Sequence, residues 1–430
     1  VKPDNAELIE LRDPLHGPIA ASRAELRVID APHFQRLRRV KQLGFAEHAF
    51  PGAVHNRYLH SLGAMHLAGR LFDALARSAP WLAGAEGPRL RQTVRFAALL
   101  HDIGHPPLSH AAETLLPDRS ALPVRAVGER TGQASHEDMT MALVLASGLT
   151  DVLTQAGEAL GVTPSAVASL IETHLDPGDA FHVDGMDVRP LLHGLVSGEL
   201  DVDRMDYLLR DSLFAGVSYG HYDLDWLVSQ ARAVPDGEAL RLGIDVRALP
   251  AFEHFLLARY HMFQMVYFHP KSDIYDAMLR RWLAAVGDDA RFPGDPEAFV
   301  ACDDAWLRAR LVASPDPWAR RIALDQPLAL AAELRHPLSA PIEAAVGDLL
   351  ARHPEAIRLT ARPVLSRYAQ KPSHLRADPL LVVDSEQRVR RIEEVTDLYE
   401  RYDRTLRLER IYVPRAERAA ASALLSAAAG

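Results

Sequence analysis

Apolar residues return every third or fourth position along most of this chain, and that period commits it to helices. Residues 61–79 place Leu62, Met65, Leu67, Leu71 and Leu75 at helix-like intervals. Stretches 88–103, 136–147, 164–175, 200–213, 222–233 and 249–268 repeat the pattern. Proline and glycine clusters at 116–135, 176–189 and 287–297 mark loops, the first of them long enough for a lid or contact segment. Strand-like stretches are few: a hairpin around Ser385-Glu386 over 380–392, then a short helix at 394–402, then a closing strand at 409–415. The expectation is a mainly α protein. Residues 1–285 form one helical domain, and 286–430 a helical extension ending in a small α/β hairpin-helix-strand piece. Only the Ala-rich tail after 416 should fray.

Composition narrows the chemistry. A chain of 430 residues can bury a large core. Its formal charge of −9 argues against a broad basic face that coats nucleic acid, while leaving room for a local basic pocket. Lys2, Lys41, Lys271 and Lys371 are the only lysines, so arginine must line any such pocket. Cys302 is the only cysteine, which excludes an intrachain disulfide and Cys-rich zinc modules. Any metal is therefore held by histidine and carboxylate. No apolar run has the length of a membrane helix, and the polar start VKPDNAELIELRD is unlike a signal peptide. A cytoplasmic protein, with no membrane partner, is expected.

Within the helical pattern, the stretch LLHDIGHPPLSH puts His101 and Asp102 side by side where an apolar helix must stop. Gly104 loosens that helix, and Pro106 pushes His105 out of the helical region. Successive helical residues diverge by about 100°, so both can face one ion only from the helix edge. His60 in NRYLHSLG and Asp203 in LDVDRMDYLLRD would complete a set of two imidazoles and two carboxylates. Such a set suits one divalent ion (Mn, Fe, Ni, Co or Mg, with Zn as a further candidate), two positions staying open for water and phosphate. Each residue has a plainer reading when taken alone. A lone His60 fits a core histidine, Asp203 a helix cap, and a bare His-Asp pair means little. Their conjunction is what points to phosphate-ester hydrolysis.

Hydrolysis also needs a proton donor and cations. His105 and His110 flank the Pro-Pro turn, and His136-Glu137 open a later helix with Ser135 as N-cap. A Glu137 carboxylate against His110 would suit a general acid. Asp203, Tyr207 and Asp211 recur every fourth residue on one helix face, and Arg259, Phe263 and Tyr267 repeat that spacing on another. Arg57, Arg204, Arg259 and Lys271 are the cations available to a polyphosphate.

These residues resemble the HD-domain phosphohydrolases, and most closely their deoxynucleoside triphosphate triphosphohydrolase (dGTPase-like) branch. The resemblance covers residues 11–275 through LRDPLHGPI, VIDAPHFQRLRRVKQLG, FPGAVHNRYLHSLG, LLHDIGHPPLSH, SHED, LDVDRMDYLLRD and RYHMFQMVYFHPK. It implies His60, His101, Asp102 and Asp203 as metal ligands. It implies His110, supported by Glu137, as the catalytic histidine, with His105 and His136 near the α-phosphate. Arg57 would contact the α-phosphate, and Arg204, Tyr207, Arg259 and Lys271 the outer phosphates. Gln42 and Asp211 would hold the sugar 3′-hydroxyl, while Leu43 and Tyr267 crowd the 2′ position. Asp30, Gln35 and Arg38 match residues that recognise a nucleotide effector at a subunit interface, which implies a homo-oligomer.

The expected activity is metal-dependent hydrolysis of a deoxynucleoside triphosphate to deoxynucleoside and tripolyphosphate. The alternatives are an HD-type nucleotide phosphomonoesterase, hydrolysis of a signalling nucleotide, or a nucleotide- or single-strand-binding protein with a vestigial metal site. Nucleic-acid binding stays open at this stage.

Overall fold

The computed structural model describes residues 8–128, 130–361, 379–398 and 407–429. A hairpin of β1 (Ile9–Asp13) and β2 (Gly17–Ala21) leads into α1 (Arg23–Ile29), which a capping box between Ser22 and Glu25 starts. The central helix α2 (Arg57–Ser78) packs against α3 (Gly87–Leu100). It begins four residues before the expected start because Asn56 caps it, its side chain accepting from Leu59 N. α3 ends at Leu100, so His101 and Asp102 sit in the turn just past a helix end.

Around these lie α4 (His136–Leu145), α5 (Gly148–Gly157), α6 (Pro164–Ile171), α7 (Arg189–Val196), α8 (Val202–Ala215) and α9 (Leu224–Ser229). The helix expected over 136–147 ends at Leu145, and Ser147 caps a further helix, α5, that the periodicity did not announce. α10 (Leu249–Met262) continues as one π turn over Phe263–Tyr267, and α11 (Pro270–Val286) follows. A π turn re-aims the side chains after it, and such turns recur at functional sites.

Strands are more numerous than the sequence suggests. β5 (Ala231–Asp236) and β6 (Ala239–Asp245) form a hairpin, with Gly237 at positive φ in its turn. β6 also pairs in parallel with short β4 (Met186–Asp187), itself paired to β3 (His182–Val183). The expected 380–392 hairpin is present as β9 (Leu381–Val383) and β10 (Val389–Arg391), and β9 joins this same sheet beside β6. The helix expected at 394–402 lies mostly outside the described residues.

One large apolar core runs from Ile19 to Tyr412 and includes Phe292, Phe299, Leu307 and Ile322, so it continues past residue 286. Those side chains come from a segment containing α12 (Asp304–Ala313) and α13 (Pro317–Ala323). A smaller core lies under a three-stranded sheet of β7 (Ala329–Arg335), β11 (Leu408–Val413) and β8 (Ile357–Ala361). α14 (Ala340–Arg352) and α15 (Arg418–Ala429) cover it. The Ala-rich tail, expected to fray, is α15: it buries Ala421 and Leu425, and Ser422 donates to the Ala331 carbonyl.

Candidate metal and phosphate site

Two glycines let the site assemble. A Cβ at Gly63 on α2 would lie 1.9 Å from Asp206 Oδ1, so its absence admits α8 close to α2. A Cβ at Gly104 would lie 2.2 Å from the His136 carbonyl, so the turn after α3 can press on the start of α4. Thr140 pins that contact by accepting from Gly104 N and donating to the His101 carbonyl.

The four expected ligands converge. His60 Nε2 lies 3.0 Å from Asp203 Oδ1, 3.3 Å from His101 Nε2 and 3.5 Å from Asp102 Oδ2. His101 Nε2 lies 3.5 Å from both Asp203 Oδ1 and Asp102 Oδ1. An ion held at about 2.1 Å sets neighbouring ligands about 3 Å apart, so the spacing fits one divalent cation. The far side of each imidazole agrees. His60 Nδ1 donates to Asp206 Oδ2 at 2.8 Å, and His101 Nδ1 donates to the Ala98 carbonyl at 2.7 Å. Those acceptors fix the protons on Nδ1 and leave both Nε2 lone pairs facing a common centre. Burial opposes charge on His60, yet bonds to Asp203 and Asp206 push its pKa up to about 10. Burial likewise raises Asp102 and Asp203, but Arg57 on the first and His101 and His60 on the second hold them below the usual carboxylate range. The cluster attracts positive charge.

Asp206, which the sequence reading passed over, anchors this arrangement. It is fully buried, accepts from Arg210 at 2.7 and 2.9 Å, and lies 2.7 Å from His16 Nε2. Arg210 in turn donates to Asp13 at 2.8 Å. Its signal was available: Asp203, Asp206 and Arg210 at i, i+3 and i+7 share a helix face.

Beside the metal cluster, His105, His110 and His136 gather. Their ring centroids are 3.8 Å apart for His105–His136, 5.0 Å for His105–His110 and 5.3 Å for His110–His136. His110 follows two consecutive non-glycine residues at positive φ, Leu108 at 57° and Ser109 at 56°. Such backbone strain, of order 1–3 kcal/mol per residue, persists only where surroundings enforce it. Here Asp304 accepts from Leu108 N at 2.8 Å, and Ser109 Oγ donates to the Lys41 carbonyl while accepting from Arg57 Nε. Arg57 also donates from Nη1 to Asp102.

The carboxylate behind His110 is not Glu137. Glu113 Oε2 lies 3.2 Å from His110 Nδ1, and Glu113 Oε1 lies 2.6 Å from His136 Nδ1. Glu137 reaches only His136, at 3.2 Å, and is half exposed. The reason is local: three residues separate His110 from Glu113 on one 3₁₀ turn, whereas Glu137 follows His136 around α4 and turns outward. Burial works against charge on His136, but Glu113 raises its pKa. His105 goes the other way, depressed by burial, then by Arg57 and His136. Its Nδ1 lies 3.1 Å from Asp102 Oδ1, and its Nε2 is buried with no hydrogen-bond partner among the described residues.

The expected substrate residues divide. Gln42 N donates to the His55 carbonyl, His55 Nε2 lies 2.7 Å from Asp211 Oδ1, and Tyr267 donates to Asp211 Oδ2 at 2.8 Å. Gln42, Asp211 and Tyr267 are therefore gathered through His55, a residue not anticipated. Leu43 adjoins them and packs half-buried on the core. Tyr207 bridges the two regions, 6.5 Å from the His60 ring and 6.0 Å from the Tyr267 ring. Burial pushes its pKa up to about 12 against the pull of Arg259 and Arg204. Arg259 is buried with Nε and Nη1 unpartnered among the described residues. Arg204, by contrast, donates to Asp201 and the Gly198 carbonyl at the start of α8. Lys271 is exposed and lines a separate cavity of about 610 Å³ with Leu328, Tyr412 and Arg415. Gln35 accepts from Arg38 at 2.7 Å, Arg38 stacks 3.6 Å above Tyr58, and Asp30 ends α1 nearby.

Comparison with known proteins yields two matched regions, an HD domain over residues 57–211 and an HD associated region over 223–324. The human deoxynucleoside triphosphate triphosphohydrolase SAMHD1 is 30% identical over 276 residues, covering 63% of this chain and 43% of that protein. A Dictyostelium discoideum homologue of SAMHD1 is 28% identical over 315 residues, 71% of this chain and 55% of its own. The uncharacterized protein YwfO of Bacillus subtilis is 31% identical over 273 residues, 63% and 54% respectively. The chain spans about half the length of the curated relatives it matches. Among solved structures, a hypothetical protein from Aquifex aeolicus superposes with a TM-score of 0.75 at 28% identity, covering 97% of this chain and 100% of its own.

Proposed function

This chain belongs to the HD-domain family, and on that premise we propose that it hydrolyses deoxynucleoside triphosphates to deoxynucleoside and tripolyphosphate. The observation that carries the reading is a set of desolvated polar atoms unpaired among the described residues around a cation-seeking cluster: Nε2 of His105, Gln42 Oε1, and Nε and Nη1 of Arg259. Buried polar groups without partners cost roughly 1–3 kcal/mol each, and a phosphorylated ligand would satisfy them together.

His60, His101, Asp102 and Asp203 would hold one divalent ion, which when bound lowers the pKa of water and polarises a phosphoryl oxygen. Arg57, fixed by Asp102 and Ser109, points its guanidinium at the α-phosphate position. Arg259 balances charge further along the triphosphate. Arg204 reaches it only by releasing Asp201, so its role depends on substrate displacing that pair. His110 donates a proton to the departing 5′ oxygen, with Glu113 holding its Nδ1 side and leaving Nε2 for the leaving group. Tyr267 and Leu43 close on the sugar beside Asp211, leaving little room at the 2′ position. The Asp30, Gln35 and Arg38 group would accept a nucleotide effector in a homo-oligomer.

The test is incubation of purified protein with Mn²⁺ and each of the four deoxynucleoside triphosphates, with and without GTP, and chromatography of the products. Tripolyphosphate with free deoxynucleoside supports the proposal; pyrophosphate or orthophosphate as first product defeats it.

A further inference from the structure

A second cavity lies behind the metal site, bounded by α1, α2, α3 and the end of α5, with a volume of about 890 Å³. That is ample for a small phosphorylated ligand. Five arginines line it, Arg23, Arg27, Arg70, Arg91 and Arg95, against two carboxylates, Glu25 and Asp73. In a chain with a formal charge of −9 such a concentration is a local reversal of sign.

Both carboxylates are already consumed. Glu25 takes Arg95 through two bonds of 2.6 and 2.9 Å, with Gln92 and the Ser22 N–H on its remaining lone pairs. Asp73 takes Arg91 through two bonds of 2.7 and 2.9 Å. Among the described residues Arg70 pairs only with Asp225, which lies outside the lining and is 85% exposed, so water screens that pair strongly. Arg27 has no partner among the described residues. His66 on the wall is kept neutral: burial, with His16, Arg70 and Arg95, pushes its pKa down to about 4. An apolar floor from Phe72, Ala76, Ala156 and Leu160 would take a flat ring or an aliphatic stem.

We propose that this cavity is an accessory binding site for an oligophosphate group, gripped by the Arg27 and Arg70 guanidinium forks. The group could arrive on a nucleotide or as free inorganic oligophosphate, and the chemistry of recognition is shared. The site is distinct from the metal cluster and from the Asp30, Gln35 and Arg38 group, and does not depend on the hydrolytic reaction proposed above.

Hydrogen–deuterium exchange on the full chain locates the site, with inorganic tripolyphosphate, adenosine triphosphate and adenosine as separate probes. Tripolyphosphate or adenosine triphosphate, and not adenosine, should protect segments 23–27 and 87–92. Protection by tripolyphosphate alone identifies free oligophosphate as sufficient, and protection by the nucleotide only identifies a nucleotide site; each upholds the proposal. Calorimetry should then show binding at least about tenfold weaker in an Arg27→Glu/Arg70→Glu variant, equivalent to about 1.4 kcal/mol. If that variant melts early, Arg27→Ala/Arg70→Ala serves the same comparison. Absence of protection in both segments, unchanged binding in the variants, or protection abolished by Arg38→Ala instead would overturn it.

Discussion

The candidate metal cluster and the histidine cluster beside it are built on opposite plans. His60, His101, Asp102 and Asp203 stand on helices or in the turn closing one, and three of the four have a second atom bonded behind them, to Asp206, the Ala98 carbonyl and Arg57. His110 stands on a 3₁₀ turn after two left-handed residues, its side chain 68% exposed, sharing one carboxylate with His136. An ion needs ligands fixed before it arrives. A proton donor needs a leaving group to reach it. Rigidity and accessibility are thus segregated a few ångströms apart.

Five substitutions can break or sharpen that contrast. Asp203→Ala should abolish metal retention, measured by elemental analysis, and lower turnover by roughly 10³-fold or more, since the ion supplies several kcal/mol. His110→Ala should lower turnover by about 10²-fold or more while metal content stays at the wild-type level. Loss of metal in that variant would erase the division between the clusters. Asp206→Asn should weaken metal affinity by about 10–100-fold without touching substrate directly. It should also lower the melting temperature, because Arg210 is left with only Asp13.

The smallest effect concerns pH. Glu113 raises the pKa of His136 against burial. Removing its charge in Glu113→Gln lowers that pKa, so the His136 imidazolium, followed by NMR titration, is lost at lower pH. Glu137→Gln should shift it less, since Glu137 is half exposed and solvent screens it. An equal or larger shift from Glu137 would make Glu137 rather than Glu113 the main carboxylate partner of His136.

What was legible in the sequence follows from range. Long amphipathic runs announce themselves locally, so α2, α3, α4, α6, α8 and α10 were foreseeable, with the start of α2 corrected by the Asn56 cap. The β5–β6 hairpin went unread although Asp236-Gly237 is a turn signal, because the helical pattern over 222–233 overlaps β5 and because β6 pairs in parallel with distant β4 and β9. The ligands were readable because His101-Asp102 is a motif. Their supports were not: His16 and Asp206 are 190 positions apart, and His55 and Asp211 are 156 apart. Only folding juxtaposes them. Glu113 was within reach, four residues after the Ser109 turn, but the eye for an adjacent His-Glu pair preferred Glu137. Arg204 and Lys271 had the right charge, and backbone placement gave them other neighbours.

One carboxylate far along the chain ties these matters together. Asp304, in the first turn of α12, accepts from Leu108 N with one oxygen and from Lys41 N with the other. It therefore clamps both the turn presenting His110 and the segment carrying Gln42. A fragment severed after residue 286 would keep the four candidate ligands and lose both the brace behind His110 and the core side chains Phe292, Phe299, Leu307 and Ile322. The unit that presents the candidate site therefore reaches past its last candidate ligand, and domain grafts have to carry α12 with them.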